Sequence, residues 1–206
     1  MKKLIIAPHA DDEVLGCTNV LDRDSFVYYC GIDESLMQPD SQHRIGTERR
    51  LEEIKNVAKF LGFDFKYNPK NKVNNYNERE LIGQFEEIIN EIKPDRIFIP
   101  YSSYNQDHRT VYNALQVALR PHDKNFFVKK VLVYEQEHPP IWNSTPYRVN
   151  FFIPLDIEKK IKAYSLHKSQ VRKMRSGDLL KSLARLRGLS INEDYAEAFI
   201  IERWVE

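Results

Sequence analysis

Cysteine is scarce: the chain has two, Cys17 and Cys30, in 206 residues. They make no CxxC pair and no disulfide framework, so a stapled scaffold is excluded. Long apolar runs are missing, and nothing approaches the length of a membrane span. The opening Met-Lys-Lys with four apolar residues behind it is too short for a signal peptide. An excess of one charge is missing too: 31 Lys and Arg face 30 Asp and Glu, a formal net charge of +1. That balance gives no sign of a nucleic-acid or acidic-lipid partner. No GxGxxG follows the first apolar run, so a nucleotide-phosphate cradle is unsupported. No internal repeat or linker is visible. These absences lead us to expect a cytoplasmic protein with reduced thiols and no nucleic-acid or membrane partner.

The length suits one domain, residues 1–206, with a core that needs no staples. Strand-like and helix-like segments alternate along it. Strands are expected at Leu4 to Ala7, Ser25 to Ile32, Phe63 to Tyr67, Arg96 to Tyr101, Lys130 to Glu135 and Arg148 to Pro154. Helices are expected at about Glu13 to Leu21, Thr47 to Leu61, Glu80 to Ile92, Asp107 to Leu119, Asp156 to Ser165 and Ser169 to Arg187. Gly62 suits the stop of the second helix. Such alternation gives an α/β fold with a mainly parallel sheet and helices on both faces. The basic segment Lys168 to Arg187 reads as a charged helix face first and a phosphate-binding patch second.

The stretch Ile5-Ile6-Ala7-Pro8-His9-Ala10-Asp11-Asp12-Glu13 organises the chain. A buried strand stops at Pro8, and one imidazole and three carboxylates follow at its carboxyl edge, where α/β folds keep their ligand sites. His9 and Asp12 are ordinary ligands for a divalent metal, zinc by default for a mixed N/O set. Asp11 would be left to move a proton. Taken alone, the stretch has a second, less favoured reading as a solvated turn with Asp11 or Asp12 as N-cap.

The strand Ile97 to Pro100 repeats the arrangement: Tyr101-Ser-Ser-Tyr-Asn-Gln-Asp-His108 follows it and opens a helix. His108 is the candidate for the third ligand, and three ligands with one open position is the hydrolytic zinc pattern. Asp107 could orient an imidazole as an outer acceptor. Asp33, ending the second strand, could contact substrate or simply sit in a turn. Cys17 reads as a small core residue near enough to the site to be oxidation-sensitive.

Together these residues resemble the PIG-L/LmbE-like family of zinc-dependent N-acetyl-sugar deacetylases. The carrying motifs are Pro8-His-Ala-Asp-Asp-Glu13 with Gly16, Arg50-Leu-Glu-Glu53 with Leu61-Gly62, and Asp107-His108-Arg109. Towards the end come His167-Lys-Ser-Gln170, Arg187-Gly188 and Tyr195-Ala-Glu-Ala-Phe199. The resemblance implies a Rossmann-like sheet, His9, Asp12 and His108 as metal ligands, and Asp11 as general base. It implies hydrolysis of an acetamide on a small N-acetylated sugar or sugar conjugate, and it leaves room for a homo-oligomer. The cofactor it implies is Zn2+, with Fe2+ as another divalent candidate.

Two positions depart from the family pattern. Ala10 stands where a proline is usual. Asn105 stands where a histidine, thought to help the oxyanion or leaving group, is common. Asn105 itself, Tyr104 or His138 could fill that role. Glu13 is expected to brace the site or cap the helix. Arg50 could salt-bridge Glu53 on the surface or face the site, where its donors suit a sugar hydroxyl or phosphate. His167 and Glu197 read as packing or capping residues, with Glu197 able to reach the cleft. Two other readings stand beside the deacetylase: a non-catalytic carbohydrate-binding protein, and a zinc amidohydrolase acting on a non-sugar acylamine.

Overall fold

Leu4, Ile5, Ile6 and Ala7 are all fully buried because β1 (Lys3–Ala7) runs down the middle of a sheet covered on both faces. This is why the strand reads as an unbroken apolar run rather than an alternating one. The computed structural model describes residues 1–36, 45–136, 148–173 and 175–206. The remaining strands are β2 (Ser25–Tyr29), β3 (Asp64–Tyr67), β4 (Arg96–Pro100), β5 (Lys130–Tyr134), β6 (Phe151–Pro154) and β7 (Ala196–Trp204). Their order across the sheet is β3-β2-β1-β4-β5-β7-β6. Pairings among β3, β2, β1, β4 and β5 are parallel, and β7 is antiparallel to both β5 and β6. Chain order runs outward from β1 in one direction and from β4 in the other. The crevice between their carboxyl ends is therefore the topological switch point.

The described helices are α1 (Asp12–Cys17), α2 (Thr47–Leu61), α3 (Glu78–Ile92), α4 (Gln106–Ala118), α5 (Ile157–Ser165) and α6 (Gly177–Leu189). One face of the sheet, through Ile5, Ala7, Val27 and Tyr29, packs against Val14, Ile54, Val57, Tyr164 and Leu180. The other face, through Leu4, Ile6, Ile97 and Ile99, packs against Phe85, Ile88, Val111 and Leu115 of α3 and α4. Gly62 ends α2 with φ 87°, a backbone that favours glycine, and its amide closes on Ala58 O at 2.7 Å.

The structure corrects several expectations. The first helix ends at Cys17 and passes into a 3-10 turn, Thr18–Val20, whose first amides are taken by a side chain. Glu197 accepts from Thr18 N at 2.8 Å and Asn19 N at 2.9 Å, and Lys160 Nζ donates to it at 2.8 Å. Glu197 therefore lies under α1 and does not reach the cleft. The basic helix starts at Gly177, not Ser169, because Ser176 caps it and residues 169 and 170 are held elsewhere. The residues after Tyr195 form β7, Ala196–Trp204, a full strand in the sheet. Cys17 is fully buried, and burial followed by the nearby Glu197 charge pushes its thiol well up, so it is inert rather than oxidation-sensitive.

Gly16 explains itself by contact. A methyl added there would lie 2.7 Å from Tyr134 Cγ. The Tyr134 ring is fully buried and its hydroxyl donates to Ile6 O at 2.9 Å, so it cannot step aside. Gly16 lets α1 lie directly on this ring, which seats Asp11, Asp12 and Glu13 at the edge of β1. Gly16→Ala is expected to destabilise the fold by about 1–3 kcal/mol through overpacking, despite alanine's better helix propensity. Urea unfolding measures this, and an unchanged midpoint would refute the close packing.

Candidate metal centre

His9 follows β1 and His108 sits on the first turn of α4, just after β4, so neighbouring strand ends deliver both imidazoles to one point. His9 Nδ1 and His108 Nε2 are 3.3 Å apart. Asp12 Oδ2 lies 3.5 Å from the first and 3.3 Å from the second. Ligand atoms on a tetrahedral ion at ~2.0–2.1 Å are about 3.3–3.4 Å apart, so the triangle fits such an ion. Two ring nitrogens that face each other at this distance cannot both present lone pairs unless something positive lies between them. Without a cation that role falls to protons. Burial alone would lower the His9 imidazole, yet hydrogen bonds and charge from Asp107 and Asp12 raise it to about 10. Burial would likewise raise Asp12, but His108 and His9 hold its carboxyl well below the usual range.

Each corner is fixed from outside. Asp107 Oδ2 accepts from His9 Nε2 at 2.8 Å and from Asn74 N at 2.8 Å, which leaves Nδ1 as the atom His9 presents. The acceptor role expected of Asp107 is therefore filled, on His9 rather than its neighbour His108. Asp12 Oδ2 also accepts from the His9 amide at 2.8 Å, and Gln136 Nε2 donates to Asp12 Oδ1. Asn105 caps α4: its Oδ1 accepts from Asp107 N at 2.8 Å. Its side-chain oxygen thus serves the helix, and among the described residues its NH2 has no protein acceptor.

Asp11 caps α1 with φ 143°, a strained value for a residue with a side chain. The strain is held from both sides. Asp11 N donates to Glu13 Oε2 at 3.0 Å, and Arg50 Nη2 donates to the preceding carbonyl of Ala10. Glu13 in turn accepts from His167 Nε2 at 2.7 Å, with both side chains fully buried. The Asp11 carboxyl is not part of the triangle and pairs with Arg175, Oδ2 to Nη1 3.2 Å. Burial pushes it up, Arg175 pulls it down, and the Asp12 charge pushes it up again.

Arg50 is buried, not on the surface. It does pair with Glu53 at 3.0 Å, as one reading had it, but it also lines the cleft and lies 3.1 Å from Glu34 Oε1 through Nε, a charge contact without hydrogen-bond alignment. The cleft encloses about 110 Å3 and its walls include His9, Asp11, Glu34, Arg50, Asn105 and Arg175. Glu34, rather than Asp33, faces it; Asp33 accepts from Ser35 N at 2.8 Å and sits near Lys72. Tyr104 stands 46% exposed on the turn before α4. His138 lies outside the described residues. The sequence reading missed Gln136, Asn74, Arg175 and Tyr76, whose hydroxyl donates to Pro8 O at 2.6 Å. Gln136 alone carried a signal, since it follows β5 at the same sheet edge.

Comparison with known proteins bears on the fold and the family. No curated protein sequence matches the chain. Among solved structures, N,N'-diacetylchitobiose deacetylase from Pyrococcus horikoshii is 20% identical, with TM-score 0.70 over 98% of this chain and 84% of that one. The zinc-inhibited form of teicoplanin deacetylase Orf2 is 18% identical, with TM-score 0.75 over 98% and 97%. GalB, the 4-carboxy-2-hydroxymuconate hydratase from Pseudomonas putida KT2440, is 16% identical, with TM-score 0.75 over 100% and 99%. At these identities the likeness is one of fold. The family model described as PIG-L, GlcNAc-PI de-N-acetylase, matches residues 4–119, which include every corner of the His9–Asp12–His108 triangle, and the chain belongs to that family.

Proposed function

We propose that the protein is a metal-dependent N-deacetylase that hydrolyses the acetamide of an N-acetylated amino sugar or sugar conjugate. The observation that carries this reading is the His9–Asp12–His108 triangle with a separate, strained carboxylate, Asp11, beside it. Family membership supports it, as do neighbours that are deacetylases of a chitobiose derivative and of teicoplanin. His9 through Nδ1, Asp12 through Oδ2 and His108 through Nε2 would hold the ion, with Zn2+ or Fe2+ as the candidates. Such an ion supplies carbonyl polarisation and brings the pKa of a water towards ~7.

The chain's own residues do the rest. Asp11 takes a proton from the attacking water as the new C–O bond forms at the acetamide carbon. It passes that proton to the amine nitrogen as the C–N bond breaks, and the second proton of the water moves from the nascent acetic acid to the freed amine, giving acetate and an ammonium. Its strained backbone keeps the carboxylate off the triangle and available for this work. The NH2 of Asn105 donates to the carbonyl oxygen as charge develops there, where the family often places an imidazole. Glu34 accepts from sugar hydroxyls along the cleft wall. No described helix is long and apolar enough to cross a membrane, which suits a small substrate met in the cytoplasm.

The test is acetate release from a panel of N-acetylated amino sugars and non-sugar acylamines, before and after chelation and reloading with Zn2+ or Fe2+. Release confined to the metal-loaded protein and to sugars is expected. Turnover that survives chelation, or none at all, would overturn the proposal. Asp11→Asn should keep its metal and lose about 100- to 10,000-fold in kcat; wild-type turnover would remove Asp11 from the base role. His108→Ala should lose the metal by elemental analysis. Asp107→Asn should weaken metal affinity about 10- to 100-fold by releasing the His9 ring, and an unaltered dissociation constant would show that Asp107 does not orient it.

A further inference from the structure

Past the end of β5, Glu135 and Gln136 are both polar and both buried. Neither is a corner of the ligand triangle. Glu135 is held by α6. Its carboxylate accepts from Arg187 Nε at 2.8 Å and also from Arg187 Nη2, a paired contact that suits the fork of a guanidinium. Its amide donates to Ala198 O of β7 at 3.2 Å. The end of α6 that carries Arg187 is fixed in turn. A methyl added to the neighbouring Gly188 would lie 2.6 Å from Glu193 O and 2.7 Å from Asp194 C, so the helix rests directly on the chain that leads into β7. The residue before Gln136 is therefore tied to both α6 and β7.

Gln136 meets the triangle from this anchor: its Nε2 donates to Asp12 Oδ1. The other oxygen, Oδ2, accepts from the His9 amide at 2.8 Å and is the atom that faces both imidazoles. Each oxygen of Asp12 thus has its own donor, and the carboxylate is not free to rotate. A carboxylate can hold a cation through one oxygen or through both. Held through both, Asp12 would occupy a position that the hydrolytic pattern leaves for water. Swinging Oδ1 onto an ion would break its bond to Gln136 and leave a buried N–H unpaired, which is costly. We propose that Gln136 restricts Asp12 to a single metal bond, through Oδ2, and so keeps a coordination position open, and that Arg187 anchors Gln136 there through Glu135. Both are positioning residues. The proposal rests on the metal-dependent reading of this site and not on the identity of the substrate.

The experiment loads the wild-type protein and its variants with Co2+, whose visible absorption is strong with four ligands and weakens as ligands are added. Gln136→Met keeps the length of the side chain and removes the donor. Gln136→Asn withdraws the donor by one methylene and serves as the second variant if the first does not fold, which urea unfolding checks. Arg187→Met is made together with Glu135→Gln, so that no buried charge is left alone. Both Gln136 variants should still take up Co2+, show weaker visible bands than the wild type, and lose about 10- to 100-fold in turnover. The paired Glu135→Gln, Arg187→Met variant should move the bands the same way by a smaller amount. Wild-type bands in a folded, cobalt-loaded Gln136 variant would overturn the proposal, and so would a folded Gln136 variant that takes up no cobalt. Bands unmoved in the paired variant alone would remove Arg187 from the anchor role. Bands that respond to Gln136 while no substrate releases acetate would leave this coordination role standing and overturn the deacetylase reading.

Discussion

Two imidazole nitrogens held 3.3 Å apart, with a carboxylate oxygen closing the triangle, form the contact on which the rest of this structure turns. Left to themselves the rings would rotate apart or separate. They stay because their neighbours leave them no other arrangement. Asp107 takes one nitrogen of His9, Gln136 takes the second oxygen of Asp12, and Asn105 seats the helix that carries His108. The parallel strands β1 and β4 set the distance between the two turns. A site of this kind is organised before any ion arrives, so little reorganisation is left for binding to supply.

Around the triangle lies a second set of buried polar contacts with a different purpose. The Asp11 backbone is strained, and a strained turn persists only where its surroundings overdetermine it. Here Glu13 grips the amide of Asp11 while Arg50 grips the carbonyl before it. Each of those holders is itself held: Glu13 by His167, and Arg50 by Glu53 and Ser169. Burying so many charges is costly unless every one is matched. The density of matched pairs behind this single turn holds it against relaxation. The hydratase among the structural neighbours shows that this architecture hosts more than one chemistry, so activity must be argued from such details rather than from the sheet.

Much of this was legible in the sequence. The mainly parallel sheet followed from apolar runs alternating with amphipathic stretches, and the triangle followed from ligand-type residues placed just past two such runs. What stayed hidden depended on contacts between distant residues. Arg175 meets Asp11 across 164 positions, His167 meets Glu13 across 154, and Gln136 meets Asp12 across 124. No local pattern announces such pairs. β7 escaped for a different reason: Glu197, Glu202 and Arg203 interrupt its apolar character, and Glu197 points inward to cap a turn instead of outward to water. The basic stretch after Ser169 has helical composition, yet its polar groups are claimed by α2 and α5, and tertiary contact outweighed propensity.

The antiparallel β7 carries one more implication, for the order in which the molecule is made. It lies between β5 and β6, and its Glu197 closes the turn beneath α1, 179 positions earlier in the chain. A ribosome delivers Asp12 long before it delivers either Gln136 or Glu197. Until those later residues emerge, the nascent strands can pair but the first helix has no floor. The turn beneath α1 is thus completed by a late part of the chain, and a chain stalled before residue 197 would lack the carboxylate that caps it.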